Sequence, residues 1–324
     1  MDRQSTSKNS LPLLSIIIPH YNGAHHLPPC FSALRGQTYP HLEIILVDNG
    51  STDESVAVTR RNFPEVEIIE LGRNLGLTGA INRGIARASG EVIVPLNNDT
   101  ETAPGWAEAL VDALQAHPEA GIVASKMLLF DRRDTLHSAG DGFGLDGIPL
   151  NRGVWQKDEG QFDRDTYIFG GCGGAVAYRR EMLAEIGLFD EDLFMYLEDV
   201  DLNWRAQLAG YRAVFAPQAV VYHRLSATGG GVIASYYTGR NTIFVLAKNL
   251  PGSIFRRHWR TIVGAQFKIA LDALRAWRGE AARARLRGQL AGLGGLPQWL
   301  SKRQSVYRLK RVDDRYLEGL LTKT

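Results

Sequence analysis

The sequence predicts an α/β fold built on a mostly parallel sheet, and three observations predict it. Four apolar, β-branched runs (Leu13–Ile18, Leu42–Val47, Val66–Leu71 and Glu91–Pro95) alternate with helical patterns over His25–Arg35, Asp53–Asn62 and Leu77–Ala88. That alternation is the grammar of βαβ units with right-handed crossovers. The runs end in the polar clusters Pro19-His20-Tyr21-Asn22-Gly23, Asp48-Asn49-Gly50-Ser51 and Asn97-Asn98-Asp99, and open α/β sheets bind ligands beyond the carboxyl ends of their strands. An apolar content of 44% with 22% charged residues is that of a chain that folds, not of a disordered one.

The later elements follow in order. A helix is expected over Trp106–His117 and a strand over Gly121–Ser125. Residues 131–165 are rich in Asp, Gly and Arg with weak periodicity, and read as a long irregular excursion of the functional kind. Order returns at Tyr167–Tyr178, around Gly170-Gly171-Cys172-Gly173-Gly174. Helices are then expected over Arg179–Ile186 and Val200–Leu208, with strands Ala213–Ala216 and Ala219–Tyr222. From about Ile254 the pattern is helical: Phe255, Trp259, Val263, Phe267, Ala270, Leu274 and Trp277 recur every three or four residues, surrounded by Arg256, Arg257, Arg260, Lys268, Arg275 and Arg278. Such a helix suits a membrane surface, or equally a core-facing stripe on the main domain. The expected division is a disordered N-terminus (1–12), a main domain (13–250) and a basic amphipathic helical region (251–324).

At 324 residues the chain has room for one large domain with an appendage. Its net charge of +2 conceals an asymmetry: residues 1–250 carry 21 Lys/Arg against 30 Asp/Glu, and residues 251–324 carry 16 against 5. A basic tail of this kind suggests an anionic partner, a membrane surface or a nucleic acid, or a solvated helix against an acidic body. No nucleic-acid module is recognisable. Two cysteines, Cys30 and Cys172, are too few for a disulfide framework, and a reducing compartment is the default. Residues 1–10 are polar and no apolar run approaches the roughly 18 residues of a membrane span, which points to the cytoplasmic side.

Several polar residues have chemistry to offer. Asp99, at the exposed end of a buried strand, is placed to hold a divalent cation against a diphosphate, because Mg²⁺ and Mn²⁺ use one or two carboxylates with phosphate oxygens. Asp48 can accept from a nucleobase imide or a ribose hydroxyl, or simply start a turn. Arg73-Asn74-Leu75-Gly76, with Asn82, can bring positive charge and helix-terminal amides to a phosphate, or cap a helix. Glu198, Asp199 and Asp201 stand at a helix start as dipole complements, or as a general base whose pKa burial and like charge raise. His223, at a strand end, can complete a metal shell as neutral imidazole.

The ordered set Ser15-Ile16-Ile17-Ile18-Pro19-His20-Tyr21-Asn22-Gly23, Val47-Asp48-Asn49-Gly50-Ser51-Thr52-Asp53, Asn74-Leu75-Gly76, Leu96-Asn97-Asn98-Asp99 and Tyr196-Leu197-Glu198-Asp199-Val200-Asp201-Leu202 resembles glycosyltransferase family 2, most closely its rhamnosyltransferase-like bacterial members, from about Leu13 to Leu250. The resemblance implies a GT-A fold: a Rossmann-like, mixed, mostly parallel sheet flanked by helices. It also implies an inverting transfer from a nucleotide-diphosphate sugar, with dTDP-rhamnose the leading donor, to a glycan or polyprenyl-linked acceptor in cell-surface polysaccharide synthesis. By the family pattern Pro19, Tyr21 and Asp48 line the base and ribose pocket, Asn74 and Gly76 lie along the nucleotide and phosphates, and Asn22 and Asn98 belong to the same nucleotide-sugar site. Asp99 and His223 hold the Mg²⁺ or Mn²⁺, Asp199 is the catalytic base with Glu198 beside it, and Gly171, Cys172, Gly173 and Gly174 flank the acceptor side. The implied setting is cytoplasmic, peripheral at the inner face of the plasma membrane, with the anionic surface met by the C-terminal region.

One departure stands out. Asn97 occupies the place of the first carboxylate in the family's Asp-X-Asp motif, which lowers the charge available to a cation before the donor arrives. Three other readings stay open. A sugar-phosphate nucleotidyltransferase should carry a basic glycine-rich loop after the first strand, where this chain has Pro19-His20-Tyr21-Asn22. A dehydrogenase should carry Gly-X-Gly-X-X-Gly at a strand-to-helix turn, which is not found. A glycan-binding or scaffold protein with a degenerate site should lack Asp99 or Asp199, and both are present.

Overall fold

The computed structural model describes residues 11–224 and 231–323. The expected disorder of residues 1–12 falls almost entirely on 1–10, outside the described residues; at Pro12 the carbonyl accepts a 2.6 Å hydrogen bond from the Tyr39 hydroxyl. The βαβ start is as expected. Strands β1 (Leu14–His20), β2 (Leu42–Asp48), β3 (Glu67–Glu70) and β4 (Val92–Pro95) alternate with α1 (Leu27–Arg35), α2 (Ser55–Asn62) and α3 (Gly76–Arg87). β1 pairs in parallel with both β2 and β4, and β2 with β3.

Beyond β4 the sheet becomes mixed. β5 (Thr100–Thr102), α4 (Trp106–Ala116), β6 (Ala120–Leu129), β7 (Leu136–Ser138), β8 (Asp141–Phe143), β9 (Pro149–Asn151), β10 (Tyr167–Ile168), β11 (Val176–Arg179), α5 (Arg180–Ile186), α6 (Glu198–Ala209) and β12 (Arg212–His223) follow. The main sheet runs β10-β12-β6-β11-β4-β1-β2-β3, with β5 on β12 and β7 on β6. β11 lies antiparallel between β4 and β6, whereas β12 is parallel to β6.

Three expectations need correction. The 131–165 excursion is not wholly irregular: β7 extends the main sheet and β8 pairs with β9 in a hairpin. The two strands expected over 213–222 are one strand, β12, whose register on β6 shifts between Ala216 and Val220. Pro217 falls inside that shift, where its missing N–H is tolerated. Third, α6 begins at Glu198 rather than Val200, because Leu197 sits at φ +64 and turns the chain directly into the helix.

Alternation in β1 divides the core. Ile16 and Ile18 pack with Leu27, Phe31, Trp106 and Leu110 on one face, and Ile17 packs with Ala80, Ile81 and Ile85 on the other. Helices therefore cover both faces, as a central parallel strand requires. The C-terminal helices are α7 (Val232–Asn249), α8 (Gly252–Arg275), α9 (Glu280–Gly294), α10 (Leu296–Arg308) and α11 (Asp314–Leu320); α9 packs on α7, and a third cluster joins the other four to α6. In it Phe143, Phe169, Val200 and Trp204 meet Val245, Leu250, Ile254, Ile262 and Leu317. α6 is thus buried between the sheet and a helical layer. No helix among the described residues is long and apolar enough to cross a membrane.

The apolar stripe of α8 does not face the core. Phe255, Trp259, Val263, Phe267, Leu274 and Trp277 are exposed, at 42 to 69%. The face toward the body is the adjacent one, carrying Ile254, Ile262 and Ala273.

Candidate active site

The ends of β1 and β2 are held together by their own polar groups. Asn22, at φ +55, accepts from the Thr52 amide through Oδ1 (2.9 Å), and its amide donates to Ser51 Oγ (2.8 Å). Asp48 is buried and accepts the Ser51 amide through both oxygens, at 3.2 and 3.3 Å. Pro19 lies half-buried at the end of β1, opposite Val47, and Tyr21 is 46% exposed beside it.

The 74–76 segment abuts this turn. Asn49 donates to Asn74 Oδ1 and to the Gly76 carbonyl, both at 3.0 Å, and accepts the Leu75 amide at 2.8 Å. Gly76, at φ +79, has no room for a side chain: a Cβ would lie 2.5 Å from the Phe194 ring. Asn82, offered above as a phosphate neighbour, instead fixes the chain at Phe189 by exchanging hydrogen bonds of 2.9 and 3.1 Å with its backbone.

Sequence reading passed over His20. Asn98 Nδ2 donates to His20 Nδ1 at 2.6 Å, and His20 Nε2 donates to Ser55 Oγ at 2.6 Å, with Asp53 beyond. Asn98 is therefore engaged inside the protein, locking the Asn97–Asp99 turn to β1. Burial lowers the His20 pKa to about 4 against the pull of Asp53 and Asp48, so the ring is neutral.

Pairing of β5 with β12 sets His223 opposite Thr100, next to Asp99. His223 Nε2 lies 3.1 Å from Asp99 Oδ1, and that oxygen, although buried, has no hydrogen-bond partner. Asn97 Nδ2 lies 3.3 Å from the same ring nitrogen, while His223 Nδ1 is 3.1 Å from Nδ1 of His137. With Asn97 Nδ2 donating to Nε2, His223 carries its proton on Nδ1, donates it to His137 and turns the Nε2 lone pair toward Asn97 and Asp99. Burial pushes the His137 pKa down to about 3, with His223 adding to the effect, so His137 can act as the neutral acceptor. An imidazole lone pair and an unpartnered carboxylate oxygen then face the same point. Among the described residues no cluster of three or more His, Cys, Asp or Glu side chains forms a closed metal cage. The two donors fit a cation that draws its other ligands from a diphosphate.

The glycine-rich turn links this point to Glu198 and Asp199. Gly174 accepts the Asn97 amide at 3.0 Å, and Gly173 donates its amide to Asp199 Oδ2 at 2.7 Å. Gly171 exchanges two hydrogen bonds with the Asn203 side chain of α6. Cys172 Sγ accepts from Asn151 at 3.5 Å, and burial, with Asp141 next, keeps the thiol protonated.

Glu198 is buried with Oε2 unpartnered, and Asp199 is partly open to the cleft. Burial and the neighbouring Asp199 raise Glu198 to about 8. Burial raises Asp199 too, but the Gly173 and Val200 amides oppose it by stabilising its charge. The charge of the pair is therefore better held on Asp199, whose oxygens accept the Gly173 and Val200 amides, than on Glu198, whose Oε2 has no partner. Asp141, buried nearby, is pushed well up by burial and by both carboxylates.

One further residue, Asn241, was not foreseen. Phe194, Tyr196 and Leu197 all have φ between 64 and 66, a costly conformation for non-glycine residues. Asn241 of α7 stabilises it by donating to the carbonyls of Leu193, Met195 and Tyr196 at 3.1, 2.9 and 2.7 Å. Asp201, fully buried, is structural: it pairs with Arg205 (3.0 Å) and Lys248 (2.8 Å) and accepts from Asn249. Lys248 and Arg205 outweigh the burial and hold this carboxyl well below the usual range. Asp190 then joins Lys248 to Lys302 of α10.

The chain is similar to several known proteins. Residues 15–187 match the model of glycosyl transferase family 2. The N-acetylglucosaminyl-diphospho-decaprenol L-rhamnosyltransferase of Mycobacterium tuberculosis is 27% identical over 330 residues, spanning 95% of this chain and 98% of that protein. The PGL/p-HBAD biosynthesis glycosyltransferase of Mycobacterium bovis is 30% identical over 198 residues, 60% of this chain and 69% of its own length. Among solved structures, GalNAc-T7 with UDP, GalNAc and Mn²⁺ aligns with a TM-score of 0.60 at 19% identity, over 75% of this chain and 48% of that one. S. aureus TarS 1-349 aligns with a TM-score of 0.54 at 16% identity, over 95% and 92%. The fold is GT-A, and by the family match, which spans more than half its length, the chain belongs to glycosyltransferase family 2.

Proposed function

We propose that this glycosyltransferase moves a hexose, with inversion, from a nucleotide-diphosphate donor to a hydroxyl of a glycan carried on a polyprenyl diphosphate. Rhamnose from dTDP-rhamnose is the leading donor, because the mycobacterial relative spanning 95% of the chain carries a rhamnosyltransferase name. Assembly of a cell-surface polysaccharide at the inner face of the plasma membrane is the matching setting. The observation that carries the mechanism is Asp199 itself, partly open, held at 2.7 Å by the Gly173 amide and backed by the buried Glu198.

Asp199, oriented by the Gly173 amide, accepts the proton of the acceptor hydroxyl as that oxygen attacks the anomeric carbon. Its charge is retained because Glu198 keeps the shared proton. The bond from the anomeric carbon to the diphosphate breaks on the opposite face. The turns at Asn22–Asp53 and Asn49–Gly76 shape the walls for the nucleoside. Asp99 and His223 would hold a divalent cation, Mg²⁺ or Mn²⁺, whose chemistry is neutralising the diphosphate that leaves. Asn97 makes that cation depend on the donor for much of its ligation.

Thermal unfolding with a panel of nucleoside diphosphates and sugar nucleotides, with and without Mn²⁺ or Mg²⁺, tests the donor reading. Binding to the native state stabilises by RT ln(1 + [L]/Kd), so one nucleotide should raise Tm only when cation is present. No shift with any donor would favour a degenerate, glycan-binding protein.

A further inference from the structure

A groove of about 490 Å³ lies between β9 and helices α7, α8 and α9, and one of its walls is Leu197. Leu197 immediately precedes Glu198 and Asp199 in the chain, so the groove reaches the start of α6. Pro149, Ala273 and Ala281 make it largely apolar, and Thr238 adds a hydroxyl. Its charged members are Arg285 and Asp272. Asp272 pairs with Arg275 at 3.1 Å on the outer side of α8. Arg285, half-buried, has no ion-pair or hydrogen-bond partner among the described residues, and burial alone lowers its pKa. Ala281 and Ala282 belong to the first turn of α9, whose amides have no partner within the helix. A half-buried guanidinium without a countercharge, beside open helix-terminal amides, favours an anion between them.

We infer that this groove is the acceptor subsite: Arg285 and the first turn of α9 take the diphosphate of a lipid-linked acceptor, the apolar wall takes the start of its prenyl chain, and the sugar passes Leu197 toward Asp199. The exposed stripe of α8 fits this placement. Ala273 lines the groove and its neighbour Leu274 belongs to the stripe, so a bilayer lying against Phe267, Leu274 and Trp277 would meet the groove at its lip. The inference rests on the proposed transfer to a polyprenyl-linked acceptor.

Farnesyl diphosphate serves as the probe, with farnesol and inorganic pyrophosphate as separate arms, titrated calorimetrically into the full chain in EDTA to suppress the donor site. Wild type should bind farnesyl diphosphate well above either fragment. Arg285→Gln should weaken it roughly tenfold or more, the scale of one charge-assisted contact. Ala282→Trp, which fills the groove, should abolish it. Both variants should keep the cation-dependent thermal shift with nucleotide, which shows that they fold and that the donor site is intact. Wild-type affinity in both variants overturns the inference, as does binding lost in Asp99→Ala but kept in Arg285→Gln, which would put the probe in the donor cleft. Loss of the nucleotide shift in wild type itself would instead remove the transferase reading, whatever the groove binds.

Discussion

Gly173 and Asp199 are joined by a 2.7 Å hydrogen bond, and their contact is tight: a Cβ on Gly173 would lie 3.1 Å from Asp199 Oδ2, so the carboxylate would have to give way slightly. The turn therefore both aims the carboxylate and stabilises its charge. Gly173→Ala should displace the carboxylate by a few tenths of an ångström and lower kcat roughly 10–100-fold, since misplacement of a reacting group by about 1 Å can cost about 10². Nucleotide binding, measured by thermal shift, should be unchanged. Full activity in the variant would show that the turn does not orient the base.

His137 should govern cation affinity without touching the cation. It accepts from His223 Nδ1 and so keeps the Nε2 lone pair turned toward Asp99 and the Asn97 amide. Outer-shell partners of this kind typically carry about 10–100-fold in metal affinity. His137→Phe should weaken Mn²⁺ binding in the presence of nucleotide by that factor, read by the paramagnetic resonance of free Mn²⁺, while Asp99→Ala should remove most of it. Equal affinity in wild type and His137→Phe contradicts the assigned tautomer.

The titrations give opposite slopes of stability with pH. Glu198 has its pKa raised from 4.5 to about 8, so the folded state holds a proton that the unfolded chain has lost, and stability falls as pH rises across that window. Glu198→Gln should flatten the decline. His20 has its pKa lowered from 6.5 to about 4, so the unfolded chain takes up the proton first and stability falls as pH drops from 6.5 to 4. The two windows overlap from pH 4.5 to 6.5 and offset each other there, so chemical denaturation at several pH values should show the decline above about pH 6.5, and a Glu198→Gln curve parallel to wild type above that pH would count against the raised pKa.

Asp201 has a structural role although it shares a motif with Asp199. Removing its charge leaves Arg205 and Lys248 without their buried partner, a change worth about 3–5 kcal/mol in comparable cases. Asp201→Ala should lose stability on that scale in urea unfolding. A loss below about 1 kcal/mol would show that the hub contributes little.

The α8 stripe can be tested without cutting the chain. Truncation after Asn249 would expose the cluster of Val200, Trp204 and Val245 that Ile254, Ile262 and Leu317 cover, and so would damage the fold itself. Replacing exposed Trp259 and Phe267 with Ser should leave Tm unchanged and abolish flotation with vesicles rich in phosphatidylglycerol. Undiminished flotation would place membrane contact elsewhere.

Much of this was readable in the sequence because it is local. The strands β1 to β4 and their polar ends follow from alternating apolar runs, and Asp99 and Asp199 lie in short motifs. What was missed depends on contacts between distant positions. His20 meets Asn98 across 78 residues, His137 meets His223 across 86, and Asn241 clamps a loop about 46 residues away. The helix α7 had no amphipathic signature, since it packs against α6 on one side and α9 and α10 on another. The start of α6 was placed late because the left-handed Leu197 resembles no capping sequence. The orientation of the α8 stripe was undecidable from periodicity: both the buried and the exposed faces are apolar.

The central claim is that Asp199 removes the acceptor proton while Glu198 keeps the other. The direct test is Asp199→Asn in single-turnover transfer, with donor binding measured alongside. The account predicts unchanged donor affinity and a rate lower by about 10²–10⁴. Transfer at the wild-type rate would contradict it.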